Sequence, residues 1–207
     1  MAKYLWFANI EASFGGIGPE EIKNHTCDSV TMLIPNGGKS MKLFIVRHAD
    51  AIERTAEVPD EQRYLTSEGR TFFRKTARTM LKKGVEPSLI LTSPLVRAVQ
   101  TADILAESLS YIGLVVVTDE LSPGFDVGAL QRLLEKFQQV DELVIVGHEP
   151  DLSGVVSSLL ALQGGFNFKK GSAFKLTIDA KFAKPAIFKW LAVGKKLITL
   201  RDEAFAQ

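Results

Sequence analysis

From residue 41 onward the hydrophobic positions alternate between two patterns. Short runs with almost no polar interruption occur at Leu43 to Arg47, Leu89 to Thr92, Leu114 to Thr118 and Leu143 to Gly147. Apolar residues at nearly every position, rather than every second one, mark strands covered on both faces, the habit of a mainly parallel sheet between helices. Between them lie longer runs with apolar residues spaced by three and four. The first follows Thr66-Ser67-Glu68-Gly69, sets Phe72, Phe73, Ala77, Met80 and Leu81 on one stripe, and closes at Lys82-Lys83-Gly84, cations and a glycine suited to a helix C-terminus. A second helix follows Ser93-Pro94 and runs to about Leu109. A third spans Val127 to Gln138, and a fourth opens at Asp151 after Pro150 and continues through Leu152, Val155, Val156, Leu159 and Leu160. Ala173 to Asp179 and Ile187 to Val193 read as a closing hairpin or added edge strands, guarded by lysine-rich turns. The alternation predicts an α/β protein, a three-layer α/β/α arrangement with a mainly parallel central sheet.

The first forty residues read differently. Two apolar runs, Tyr4-Leu5-Trp6-Phe7 and Val30-Thr31-Met32-Leu33-Ile34, carry no sustained period, and Gly15-Gly16-Ile17-Gly18-Pro19 lies between them. Asn9 and Glu11 interrupt the one stretch that could form the apolar core of a secretory signal. No Lys-Ser/Thr pair follows the glycines at the spacing of a phosphate loop. Met41 stands directly before the first strand, and Asn36-Gly37-Gly38-Lys39-Ser40 can be encoded by a purine-rich stretch containing GGAGG, the mark of a bacterial ribosome-binding site. These features divide the chain into an N-terminal extension, residues 1–40, and a domain, residues 41–207, and make Met41 a candidate start of translation.

Composition narrows the function classes. Hydrophobic residues make up 46% and charged residues 24% of the 207, as in ordinary globular proteins. Lys and Arg total 25 against 24 Asp and Glu, a net charge of +1 that argues against wholesale binding to nucleic acid or an anionic membrane. The lone cysteine, Cys27, excludes an internal disulfide and multi-cysteine metal ligation, and suits the cytosol. No apolar stretch approaches the roughly 18 residues of a spanning helix. A cytoplasmic monomer is the expectation.

Polar clusters close three of the strands: Arg47-His48-Ala49-Asp50, Thr92-Ser93-Pro94-Leu95-Val96-Arg97, and Gly147-His148-Glu149-Pro150. Carboxyl ends of parallel strands meet on one rim, so the clusters are expected to be neighbours. Together they supply two imidazoles, two guanidiniums and helix N-termini, donors suited to a compact dianion such as a phosphoryl group. Neither a Walker lysine nor an acidic metal cage accompanies them, so no metal is called for. Taken singly, each residue has a plainer reading. A histidine at a strand end is usually structural, Arg97 a surface cation, Asp50 and Glu149 solvent-facing or supporting carboxylates, and Asp151 a helix N-cap. The coincidence of three clusters favours function. His25 lies in the extension and receives no role.

These residues resemble a known family, the histidine phosphatase superfamily, whose signature is an Arg-His pair after the first strand, here Phe44-Ile45-Val46-Arg47-His48-Ala49. The likeness continues through Leu91-Thr92-Ser93-Pro94-Leu95-Val96-Arg97-Ala98-Val99-Gln100-Thr101 and Val144-Ile145-Val146-Gly147-His148-Glu149-Pro150, and spans Met41 to about Leu197. Ala49 stands where the superfamily more often has glycine. Within the superfamily the chain looks most like the small phosphohistidine phosphatases, on Arg47-His48-Ala49-Asp50-Ala51, Leu65-Thr66-Ser67-Glu68-Gly69, Glu120-Leu121-Ser122-Pro123-Gly124 and Lys189-Trp190-Leu191. The resemblance implies that neutral His48 attacks phosphorus and becomes phosphorylated. It further implies that Arg47, Arg97 and a protonated His148 hold the phosphoryl oxygens, with no cofactor.

Larger relatives carry a long insertion over the site, whereas only residues 119–141 separate the third and fourth strands here. That span must include a helix and leaves little chain for a lid, which favours a phosphorylated side chain on a protein surface over an enclosed metabolite. An imidazole, with pKa near 6.5, also leaves phosphorus more readily than an alkoxide and needs a weaker acid. Glu120, then Asp126, are candidates for that acid, against an equal expectation that both cap turns and helices. The expected activity is therefore removal of phosphate from a histidine on a phosphotransfer or phosphocarrier protein. The alternatives are a small-molecule phosphomonoesterase and a non-catalytic phosphoprotein-binding module, the latter disfavoured by retention of the nucleophile. Arg70, Arg74, Lys75, Arg78, Lys82 and Lys83 make the first helix basic, either a docking face for an acidic protein or an ordinary solvated face.

Overall fold

A computed structural model describes residues 3–7, 40–137, 139–166, 168–179 and 181–206. His25, Cys27, the glycine-rich stretch and the second apolar run of the extension lie outside the described residues. Eight strands form one sheet: β1 (Lys3–Phe7), β2 (Ser40–Arg47), β3 (Leu89–Thr92), β4 (Leu114–Thr118), β5 (Glu142–Gly147), β6 (Ser172–Asp179), β7 (Ile187–Val193) and β8 (Lys196–Ile198). Their order is β1-β4-β3-β5-β2-β6-β7-β8. Pairing is parallel from β1 through β2, then antiparallel through β6, β7 and β8. The expected α/β sandwich with a mainly parallel centre is present, and the closing hairpin continues the sheet beyond β2.

Helices α1 (Ser67–Lys82) and α2 (Val96–Ser108) cover one face; α3 (Val127–Lys136), α4 (Asp151–Leu160) and α5 (Arg201–Phe205) cover the other. The unbroken apolar strands follow from this double cover. Phe44 and Val46 enter the core beneath α1 and α2, while Leu43 and Ile45 enter the opposite core, and Val144 and Val146 alternate in the same way with Leu143 and Ile145. Three elements escaped the periodicity. The Tyr4–Phe7 run belongs to β1, an edge strand parallel to β4; β8 and α5 are too short to show a period.

Two details of α1 differ from the expected stripe. Phe72 and Leu81 are exposed at 37% and 48%, whereas Thr76 is fully buried. Thr76 Oγ1 donates to the Gly171 carbonyl at 2.7 Å and accepts from the Gly194 amide at 2.9 Å, so a polar residue takes a core position by closing both hydrogen bonds. Phe72 instead lies over Gly171 and Gly194, where a Cβ would meet its ring at 3.2 and 3.1 Å. On the other face Phe166, Phe168, Phe174, Phe188 and Phe205 pack with ring centroids between 4.8 and 6.3 Å. This cluster recruits α5 and holds the backbone of Phe168 against the sheet.

The start of α1 is pressed against the loop after β2. Thr66 caps the helix by accepting from the Gly69 amide at 2.9 Å, and its own amide donates to the Asp50 carbonyl at 3.0 Å. A Cβ on Gly69 would stand 2.2 Å from that carbonyl oxygen. Gly69→Ala is expected to displace the loop carrying His48, to cost about 1–3 kcal/mol in urea unfolding, and to lower turnover. Gly154→Ala in α4, with nothing within 4 Å of the new carbon, is expected to raise stability by about 0.5–1 kcal/mol and to leave turnover unchanged.

Candidate active site

The ends of β2, β5 and β3 are adjacent and in register: Arg47 pairs with Gly147, and Thr92 with Val146. The ladder continues one residue past the strands, with the His48 amide donating to Gly147 at 3.1 Å and the Ser93 amide to Val146 at 3.0 Å. His48, Ser93 and His148 therefore leave three neighbouring strands at one level. The rings of His48 and His148 lie 5.1 Å apart, and Arg97, from the first turn of α2, and Arg47 both bear electrostatically on both imidazoles. All four residues singled out from the sequence are thus brought together, with His48, Arg97 and His148 each at most 9% exposed.

His48 Nδ1 lies 2.7 Å from the Ala49 carbonyl. A carbonyl can only accept, so the proton sits on Nδ1 and the lone pair on Nε2. Burial pulls the His48 pKa down to about 4; the bond to Ala49 opposes this, and the cations Arg97, Arg47 and Lys170 add to it. The ring is a neutral, oriented base. His148 Nε2 lies 2.8 Å from Ser93 Oγ, which itself accepts from the Leu95 amide at 3.3 Å. The serine hydroxyl can donate to Nε2 or accept from it, and Nδ1 on the other side of the His148 ring is buried without a partner. Desolvation, then His48 and Arg97, lower the His148 pKa to about 3. The expectation of a protonated His148 is corrected: both imidazoles are neutral, because burial disfavours the charged rings and the neighbouring guanidiniums add to the effect.

Arg47 Nη1 donates to the Phe168 carbonyl, while its Nε is buried with no partner. Arg97 is held by Asp60: Nη1 donates to the Asp60 carbonyl at 2.6 Å and Nη2 to Oδ2 at 3.0 Å. Asp60, in a 3-10 turn at Asp60–Gln62, also receives Arg54 and Arg63, each at 3.0 Å. Desolvation would raise its carboxyl pKa, but Arg63, Arg54 and Arg97 outweigh that and hold it well below the usual carboxylate range. Thr101 ties the site together by accepting from the Ala49 amide at 3.1 Å and donating to the Arg97 carbonyl at 2.7 Å. Asp50 accepts from Lys170 at 2.6 Å; burial pushes its pKa up, and the bonds from Lys170 and Thr66 bring it below the ordinary value.

The remaining carboxylates are placed as follows. Glu149 Oε1 accepts from the Ser153 amide at 3.0 Å in the first turn of α4, and burial raises its pKa. Asp151 is not the N-cap of α4: Pro150 holds that position, and Asp151 Oδ2 accepts from the Gly124 amide at 2.7 Å. Asp126 is the N-cap of α3, accepting from Ala129 at 2.7 Å, which bears out its capping reading. Glu120 Oε1 accepts from Lys136 at 3.2 Å, and its Oε2 is buried without a partner. Asp60, Lys170 and the Phe168 carbonyl were not singled out from the sequence, and Ser93 and Thr101 stood within the quoted motifs without a role of their own. Both carried a signal, Ser93 by following the strand end directly and Thr101 by standing one helical turn after Arg97 on the same face. Among the described residues no group of three or more His, Cys, Asp or Glu side chains is disposed to hold a metal ion.

Arg47 Nε, a donor, and His148 Nδ1 are buried without partners, beside a base whose Nε2 lone pair is uncommitted, an arrangement an oxyanion can complete. This chemistry agrees with comparison to known proteins. The model of the histidine phosphatase superfamily, branch 1, matches residues 43–143. An uncharacterized protein of Picosynechococcus sp. is 36% identical over 145 residues, covering 68% of this chain and 87% of that protein. Phosphohistidine phosphatase SixA of Escherichia coli K12 is 29% identical over 141 residues, covering 67% of this chain and 86% of that protein. The structure of the protein histidine phosphatase SixA complexed with tungstate superposes with a TM-score of 0.67 at 28% identity, covering 74% of this chain and 97% of that one. The chain belongs to the histidine phosphatase superfamily, and is a phosphatase of SixA-like fold.

Two measurements test the electrostatics. Both imidazoles have folded pKa values below the unfolded value near 6.5, so the stability due to their neutrality is fully present above pH 6.5. It is lost as pH falls toward about 4 for His48 and about 3 for His148. Within that window each costs about 1.4 kcal/mol of unfolding free energy per pH unit. Denaturant titrations at pH 6.5, 5 and 4 should show this slope, shallower in His48→Asn. Asp60→Asn removes a negative charge from Arg97 while keeping the backbone acceptor. It is expected to tighten binding of inorganic phosphate about fivefold by calorimetry; weaker binding would show that the carboxylate chiefly positions the guanidinium.

Proposed function

We propose that this protein is a cytoplasmic protein phosphohistidine phosphatase, acting through a phosphohistidine intermediate on His48. The observation that carries the substrate class is the short connection over the site. Between Thr118 and Glu142 the described chain forms a 3-10 turn, Asp119–Leu121, and α3, which packs on α4 and so belongs to the fold's outer layer. The described residues of this span hold no long insertion, and so short a connection suits a phosphorylated side chain presented on another protein.

In the proposed reaction Nε2 of His48 attacks phosphorus in line, with Nδ1–H held by the Ala49 carbonyl. The P–N bond to the substrate histidine breaks, and its imidazole leaves with a proton drawn from solvent. Arg47, Arg97 and His148 stabilise the three phosphoryl oxygens, Arg47 through the otherwise unpaired Nε and His148 through Nδ1. Arg97 exchanges Asp60 Oδ2 for a phosphoryl oxygen while keeping the Asp60 carbonyl. A dianion between the rings raises the pKa of His148, which can then carry a second ring proton. Water hydrolyses the phosphohistidine, returning neutral His48 and inorganic phosphate. The likeness to SixA supports the same substrate class. Metal independence and a monomeric enzyme are part of the proposal.

The test compares a phosphorylated histidine-phosphotransfer domain with a panel of sugar and nucleotide monophosphates. Wild type is expected to prefer the phosphodomain, to retain activity in chelator, and to yield phosphate on His48 after an acid-free quench. His48→Ala should lose at least about a thousandfold in turnover. Faster turnover of the monophosphates would assign the site to a metabolite. Absence of labelled His48 together with unchanged His48→Ala turnover would defeat the covalent mechanism.

A further inference from the structure

A second feature lies on the outer face of α1, apart from the phosphoryl site. Lys75, Arg78 and Lys82 of this helix and Lys83 directly after it, with Lys195 in the β7–β8 turn, line a groove of about 480 Å³ that contains no carboxylate. All five cations are exposed, and among the described residues none of them forms an ion pair. Leu81, 48% exposed, lies among them. Elsewhere on the surface cations stand beside carboxylates in pairs such as Lys170–Asp50, Lys136–Glu120 and Lys196–Glu203, and the whole chain carries only +1. Five unpaired like charges around one concavity are costly for the isolated protein and useful to an acidic partner.

The groove is coupled to the nucleophile's loop. Thr79 Oγ1 donates to the Gly194 carbonyl at 2.8 Å, next to Lys195. Thr76 bonds both Gly194 and Gly171, and the Gly171 amide donates to the His48 carbonyl at 3.0 Å. Gly194 follows β7, two strand spacings from β2, so the near edge of the groove is roughly 10 Å from the His48 backbone. A protein whose histidine reaches the rim can rest a helix there.

We propose that this groove is the docking site for an acidic, amphipathic helix of the phosphohistidine-bearing substrate protein, with its carboxylates on the cations and one apolar side chain on Leu81. The proposal rests on the function proposed above and adds where the substrate protein binds. The exposed leucine favours a protein helix over a nucleic-acid backbone, which has no aliphatic surface to bury against it.

The experiment measures steady-state hydrolysis of two phosphoramidates: a phosphorylated histidine-phosphotransfer domain with an acidic face beside its histidine, and N-phosphoimidazole, too small to reach the groove. The variant is the triple charge reversal Arg78→Glu, Lys82→Glu and Lys195→Glu, with a milder Lys82→Gln, Lys195→Gln pair. The reversal is expected to raise KM for the domain by about tenfold or more, and the neutral pair by less. N-phosphoimidazole turnover should stay within twofold, which also shows the variants to be folded. In wild type KM for the domain should rise with salt. A domain KM unchanged within twofold in the charge reversal overturns the docking site while leaving the phosphohistidine reading intact. Failure of wild type to hydrolyse either phosphoramidate overturns that reading and the docking site with it. Competition by duplex DNA or anionic vesicles that is stronger than by the unphosphorylated domain assigns the groove to those ligands and also overturns it.

Discussion

Parallel pairing of β5 with β2 on one side and with β3 on the other is the constraint on which the site depends. Each ladder carries one hydrogen bond beyond the strand itself, to His48 and to Ser93, so three loops leave the sheet at the same height. Two imidazoles, a serine and the start of α2 then meet without any long-range adjustment of the backbone. Parallel strands require helical crossovers, and the crossovers cover both faces, which is why the sheet can be apolar throughout and end abruptly in polar residues.

Charge is organised around that rim by burial. His48 and His148 are enclosed with two guanidiniums, and desolvation together with those cations keeps both rings neutral. The positive charge of Arg97 is in turn offset by Asp60, which binds it by its backbone and its side chain at once, and Arg47 faces the carboxylates of Glu149 and Asp50. The arrangement separates two requirements that conflict in a single residue. The nucleophile must keep a free lone pair, and the phosphoryl oxygens must meet cations. Neutral imidazoles serve the first requirement and arginines, which stay charged, the second.

Supporting contacts come from elements remote in sequence. The aromatic cluster around Phe174 fixes the carbonyl that receives Arg47. Thr76 fastens α1 to the turns at Gly171 and Gly194, and Gly171 bonds His48. The Gly194 turn also carries Lys195 of the basic groove, so Thr76 links the nucleophile's loop to the proposed docking surface.

The alternation of apolar strands with amphipathic helices, and the polar clusters at three strand ends, were enough to read the α/β class and the parallel centre, and to expect Arg47, His48, Arg97 and His148 to be neighbours. Such patterns are local: burial on two faces or on one stripe is recorded in consecutive residues. Tertiary structure alone decided that Asp60 closes on Arg97 across 37 positions, that Thr76 rather than Phe72 enters the core, that Tyr4–Phe7 joins the sheet edge, and that Asp151 bonds Gly124 instead of capping α4. It also left both histidines neutral. Each of these outcomes depends on which distant groups share a buried space, and hydrogen bonding and desolvation act through that space rather than along the chain.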